Sequence, residues 1–161
     1  MSHNERDVSV PTEPRRMVPS TRDLLLGSRF ERRLDLLVAV VAGVLTFAFY
    51  AAGIFAEGGV IILPGDATLV GLLLAATVGY RRSSLLGAWL ATFAVYIGFA
   101  AEWALLGLSG RSPLDRLAFF LDPTGLVVYG LAAVVLGTAA YAVGAGTAWL
   151  AGRIERGVVD S

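Results

Sequence analysis

Two acidic side chains lie inside stretches of sequence that are otherwise apolar. Asp66 follows Pro64 and Gly65 in VIILPGDATLV, and Glu102 interrupts GFAAEWALLGL. An ionised carboxylate inside hydrocarbon needs a hydrogen-bond donor or a cation beside it, so acids in such stretches are candidates for binding or transport sites. Glu102 also has a plainer explanation, because with Trp103 beside it the carboxylate can reach water at the membrane interface.

We predict that these two acids form a small polar pocket facing outwards. As the N-cap of a helix, Asp66 would accept bonds from free N–H groups, and the positive end of the helix dipole would favour its charge. The break at Pro64 would leave carbonyls unpaired close by, as in the discontinuous helices of transporters. Tyr96 or Arg116 would supply a hydrogen bond to this pocket. The ligand would be a cation, a proton or the basic side chain of a partner.

Most catalytic and metal-binding side chains are missing from the sequence. There is no cysteine, the single histidine is His3, and all 13 basic residues are arginine. A thiolate site, an intramembrane Ser/His pair, a Ser/Lys dyad and a lysine Schiff base are therefore excluded. Gly144 and Gly146 lie within a helical pattern with no strand before it, so they do not form a nucleotide loop. We expect no enzymatic activity, no metal and no cofactor.

The composition is typical of a membrane protein. The chain is 56% hydrophobic and 16% charged with a mean hydropathy of +0.70, whereas soluble domains are ~25% charged. The 13 acidic and 13 basic side chains cancel, so no overall field attracts nucleic acid. The exclusive use of arginine indicates a GC-rich archaeal or bacterial genome.

The hydrophobic pattern predicts an all-α fold, an integral membrane bundle of four transmembrane helices with short juxtamembrane amphipathic helices. The transmembrane domain covers residues 34–152, with spans at about 34–55, 60–80, 85–106 and 124–151. As a helix the first span is roughly 33 Å long, enough for a hydrocarbon core of ~30 Å. The second span is irregular, because Pro64 and its neighbours leave either a broken helix or a short one.

The flanking segments are predicted from their polar composition. Residues 1–20 form a disordered cytoplasmic tail, residues 21–33 a juxtamembrane amphipathic helix, and residues 153–161 a short cytoplasmic tail. Ser112 and Pro113 are typical of a helix start and open a second amphipathic helix that lies flat on the membrane. Asp122 and Pro123 repeat the pattern before the fourth span.

The arginines predict the orientation. Of the 13 arginines, 11 lie in the N-terminal tail, in the turn at residues 81–82 or in the C-terminal tail, which share one side of the membrane in the predicted topology. The other two, Arg111 and Arg116, lie on the opposite side. Positive residues near span ends are retained in the cytoplasm, so both termini should be cytoplasmic in a multi-pass protein of the cell membrane.

Small residues predict how the helices pack. Helix association in lipid depends on close backbone approach. Gly130, Gly137 and Gly144 recur every seven residues in the fourth span, and Gly71 and Gly79 belong to a small row in the second. These faces serve packing within the chain or self-association.

Two function classes follow. The first is a structural or accessory membrane protein that binds other membrane proteins or lipids through its small-residue faces. The alternative is a transporter or channel component that uses the acidic pocket of Asp66 and Glu102.

Overall fold

The computed structural model describes residues 29–55 and 63–159, and the regular structure of these two ranges is entirely helical. The all-α prediction is thereby confirmed. The helices are α1 (Arg29–Ala51), α2 (Gly65–Tyr80), α3 (Leu85–Glu102), α4 (Pro113–Phe120) and α5 (Pro123–Val159), and a π-helical turn (Trp103–Gly107) extends α3. The predicted tail 1–20 lies outside the described residues, as does most of the predicted juxtamembrane helix 21–33, whose last residues begin α1.

Three helical segments of the described chain are long and apolar enough to cross a membrane. They are Arg33–Ala51, Leu85–Gly107 and the range Pro113–Ile154, which includes α5. The helix α2 is apolar but shorter, with 16 residues, or roughly 24 Å. Part of the predicted second span, residues 60–62, lies outside the described residues.

The start of α2 differs from the prediction that Asp66 is its N-cap. Pro64 occupies the N-cap position with an extended backbone, and Asp66 lies in the first turn. The carbonyl of Pro64 accepts both the backbone N–H of Thr68 at 3.0 Å and the Thr68 hydroxyl at 2.9 Å. Proline suits this position because the N-cap residue needs no backbone N–H for the helix, while its carbonyl accepts the first hydrogen bond of the helical ladder. Asp66 therefore lies two residues after the N-cap, beside the positive end of α2.

Three helices begin with a side-chain cap. Ser84 accepts the N–H of Gly87 at 3.0 Å at the start of α3. Ser112 accepts the N–H of Asp115 at 3.2 Å at the start of α4, and Asp122 accepts the N–H of Gly125 at 2.8 Å at the start of α5. The last two caps agree with the sequence pattern, and they bind N–H groups that the first helical turn leaves unpaired.

The helix α3 is the centre of the packing. α1 packs chiefly on α3, while α5 packs on both α2 and α3. Most of the buried hydrophobic residues are alanines, and the largest fully buried side chains are Tyr96, Val95, Thr46 and Thr92. The helices can approach closely because small side chains separate them, which agrees with the packing expected in lipid.

Backbone contact is closest at the glycines. A methyl group on Gly144 would overlap the carbonyl of Ala76 in α2, and one on Gly79 would overlap the carbonyl of Tyr141 in α5. One on Gly98 of α3 would overlap the carbonyl of Gly43 in α1. At these two crossings only glycine allows the backbones to meet.

The other predicted packing glycines, Gly71, Gly130 and Gly137, differ in how closely they approach a neighbouring helix. A methyl group on Gly71 would lie 3.0 Å from Thr92 Cγ2, and one on Gly137 would lie 3.2 Å from Trp89 Cδ1. A methyl group on Gly130 would meet no described atom within 4 Å, so the seam of α5 does not extend to that residue. Just before it, the ring of Tyr129 stacks on Tyr96 with centroids 5.4 Å apart, and rings of this size space α5 from α3.

Candidate functional site

An acidic cluster lies where α1 ends, α2 begins and α3 enters its π-helical turn. We use this name for Tyr50, Asp66 and Glu102. Tyr50 and Ala67, the residue after Asp66, belong to one buried cluster, and the ring of Phe99, three residues before Glu102, packs on Tyr50. The structure therefore places the helical turns that carry the two sequence-predicted acids beside Tyr50. The side chain of Glu102 is only 6% exposed. Glu102 also directly precedes the π-helical turn, a local geometry that is frequent at functional sites.

Tyr50 is the member of the cluster that the sequence analysis missed. It is 5% exposed, and the rings of Phe55 and Phe99 pack edge-on against it with centroids 5.1 Å and 5.0 Å away. An aromatic residue near the end of a span is typical of the membrane interface, so the sequence gives no reason to assign Tyr50 to a polar cluster. The buried alanines and threonine at residues 39, 42 and 46 mark the same inward face of α1 at helical spacing.

The hydroxyl of Tyr50 is buried and forms no hydrogen bond with another described residue. The backbone amide of Ala67, in the first turn of α2, lies near this oxygen but outside hydrogen-bond geometry. Leaving a buried hydroxyl unsatisfied costs about 1–3 kcal/mol. A ligand beside this hydroxyl would satisfy it.

Tyr96 and Thr68 form a hydrogen-bonded pair close to the acidic cluster. Tyr96 is fully buried, and its hydroxyl lies 3.1 Å from Thr68 Oγ1. Thr68 is two residues after Asp66 on α2, so this hydrogen bond ties α3 to the turn that carries the carboxylate. The predicted partner Tyr96 therefore lies at the site, and it acts on the backbone that positions Asp66.

Arg116 of α4 contacts the connection between α3 and α4. Its guanidinium donates to the backbone carbonyls of Arg111 at 3.1 Å, of Leu105 at 3.5 Å and of Ser109. These bonds hold the connection between α3 and α4 in place, because carbonyls at the end of a helix lack intrahelical partners. Arg116 is thus a structural clamp of this connection.

A second polar junction lies at the opposite end of the helices. Asp35 of α1 accepts hydrogen bonds from the Ser84 hydroxyl at 2.6 Å and from the Ser83 hydroxyl at 3.3 Å. Tyr141 of α5 donates to the carbonyl of Ser83 at 2.9 Å. The carboxylate packs directly on Gly87, where a methyl group would overlap it. One junction therefore connects α1, α3 and α5.

The acidic cluster offers only oxygen atoms to a ligand. Carboxylate and hydroxyl oxygens suit hard cations. Within the described residues, His, Asp and Glu do not gather in groups of three that could hold a metal ion. The cluster therefore contains two carboxylates and one tyrosine hydroxyl.

Comparison of the chain with known protein families, with curated proteins and with solved structures finds no match.

Proposed function

We propose that the protein is an integral membrane protein of four spans, with both termini in the cytoplasm, that binds a small hard cation at the acidic cluster. The cluster would face the outer side and serve a transporter or channel component. The observation that carries this proposal is the buried hydroxyl of Tyr50, which forms no hydrogen bond within the described part of the chain and lies near the helical turns that carry Asp66 and Glu102. A cation would be coordinated by this oxygen and balanced by the carboxylates.

The membrane assignment is supported by the three long apolar segments and by the outward-facing apolar side chains of α1 and α5. For the short helix α2, local thinning of the bilayer or the residues before Gly65 would supply the missing length. The orientation rests on the distribution of arginine.

An accessory role is the second candidate. The close glycine contacts of Gly79, Gly98 and Gly144 are all made inside the chain, so these residues are not available to a partner. Methyl groups on Gly130 and Gly146 of α5 would meet no described atom within 4 Å. These two open positions would let the backbone of another membrane helix approach. Mass spectrometry of co-purifying proteins, compared with a Gly146→Leu variant, tests this role.

Sodium is expected to stabilise the purified protein against heat, relative to choline chloride at equal ionic strength. Binding to the folded state adds RT ln(1 + [L]/Kd), about 2.7 kcal/mol at a concentration of 100 Kd. Asp66→Asn and Glu102→Gln should each abolish the sodium-dependent shift of Tm, because each removes a charge that balances the cation. Asp115→Asn, an acid on the exposed surface of α4, should keep the shift.

Tyr50→Phe separates binding from folding. Without sodium this variant should be as stable as the wild type or more stable, because it removes a buried hydroxyl that lacks a partner. In sodium it should lose the shift of Tm.

Sodium flux into liposomes then tests whether binding leads to transport. If all three cluster variants keep the wild-type shift and the wild-type flux, the proposed cation site is wrong.

Topology is tested with reporter fusions. A reporter after Ser161 should give a cytoplasmic signal, and one inserted within residues 107–112 should give an external signal. The arginine distribution requires this pattern. The reverse signals would contradict the proposed orientation.

A further inference from the structure

An apolar groove runs between α1 and α3 and continues beneath α4. Its first part has a volume of about 590 Å³ and is lined by Val40 and Phe47 of α1 and by Phe93 and Ile97 of α3, among others. Its second part, of about 420 Å³, lies between the end of α3 and α4. Ala101 and Leu105 line both parts, so the two form one groove.

The groove has the length and chemistry of an acyl-chain site. Along α3 it extends from Leu90 to Leu105, roughly 22 Å of helix. One leaflet of the hydrocarbon core is about 15 Å thick. An acyl chain that spans one leaflet is therefore shorter than the groove. Both parts fall in the ~300–1,000 Å³ range of small-molecule sites.

Arg116 gives the groove a polar end. It lines the second part of the groove together with Pro113, Leu117 and Phe120. A guanidinium has five N–H donors, and its three bonds to backbone carbonyls leave two for another acceptor, as far as the described residues show. Those bonds also fix the plane of the guanidinium, and a fixed guanidinium is well suited to the paired oxygens of a phosphate.

We propose that this groove holds an anionic phospholipid, with one acyl chain between α1 and α3 and its phosphate on Arg116. Charge complementarity selects this occupant, because a purely apolar helix would leave the guanidinium facing hydrocarbon. The exposed leucines of α4, Leu114 and Leu117, would rest on the membrane beside the headgroup. The proposal rests on the membrane location proposed above and is independent of the cation site.

Native mass spectrometry of the purified protein in mild detergent tests the proposal with phosphatidylglycerol as the probe. The wild type should retain phosphatidylglycerol and should not retain diacylglycerol with the same acyl chains, because diacylglycerol lacks the phosphate. Excess inorganic phosphate should not displace the lipid, since it cannot fill the apolar groove.

Two variants, each with a matched control, address the two ends of the lipid. Arg116→Gln should bind phosphatidylglycerol about tenfold more weakly, and Arg111→Gln, on the same connection, should bind like the wild type. Ala101→Phe should lower lipid retention by filling the point shared by both parts of the groove. Ala139→Phe, at an exposed position of α5, should not. Because Arg116 also clamps the connection, Ala101→Phe tests the site if Arg116→Gln fails to fold.

The same experiment separates this proposal from the others. Asp66→Asn should keep lipid binding, and Arg116→Gln should keep the sodium-dependent shift of Tm. Equal retention of phosphatidylglycerol and diacylglycerol, or wild-type retention in both Arg116→Gln and Ala101→Phe, would overturn the lipid site. So would a dimer that forms through this face and excludes the lipid.

Discussion

Gly144→Ala should destabilise the protein by about 3 kcal/mol, the upper end of the usual cost of overpacking. The added methyl group would overlap the carbonyl of Ala76 and would also press on the backbone of Tyr80. Both obstacles are backbone atoms, which cannot rotate away as a side chain would. α5 must therefore move off α2, and every contact along this crossing weakens.

Gly146→Ala is the matched control two residues further along the same helix. A methyl group there meets no described atom within 4 Å. Alanine is favoured over glycine within a helix by about 0.5–1 kcal/mol, so this variant should be as stable as the wild type or slightly more stable. Thermal unfolding in detergent measures both variants. Equal midpoints would show that the close crossing of α2 and α5 does not stabilise the fold.

Asp35→Ala is expected to have the second largest effect, a loss of about 2 kcal/mol. The carboxylate accepts hydrogen bonds from Ser83 and Ser84, and hydrogen bonds to charged groups contribute about 1.5–3 kcal/mol each. Removing it leaves both hydroxyls without this acceptor and opens a gap against Gly87. The loss should be largest in the packing of α1 on α3.

A double-mutant cycle isolates this interaction. Asp35→Ala and Ser84→Ala should be markedly non-additive, because each removes the same hydrogen bond. Asp115 and Ser112 form the control pair, also an Asp with a Ser, whose side chains are 2.8 Å apart on the exposed surface of α4. Their coupling should stay below about 1 kcal/mol, as for other exposed polar pairs. Additive effects of Asp35→Ala and Ser84→Ala would contradict the proposed junction.

The parts of the fold that depend on local sequence could be predicted. Ser112 and Asp122 cap their helices because a cap needs only the next three residues. The predicted N-cap, Asp66, lies two positions after the observed N-cap, Pro64, whose carbonyl begins the ladder of α2. This error is of the size expected at helix boundaries.

Contacts between distant helices could not be predicted in the same way. The pairing of Asp35 with Ser84 and the approach of Tyr50 to Glu102 both depend on α1 packing against α3. A hydrophobic pattern gives the inward face of a helix but does not say which helix it meets. The sequence around Tyr50 and Asp35 therefore does not indicate either contact.

The pairing of α1 with α3 has a consequence for biogenesis in the proposed membrane topology. α1 enters the membrane before α3, because the helices insert in the order in which they are synthesised and α2 lies between them in the sequence. Asp35 must wait at the edge of the bilayer, where headgroup water can solvate its carboxylate. Asp35 can contact Ser84 only after α3 has entered the membrane. α1 is therefore the first of these helices to insert, but its packing is completed only after α3 is in place.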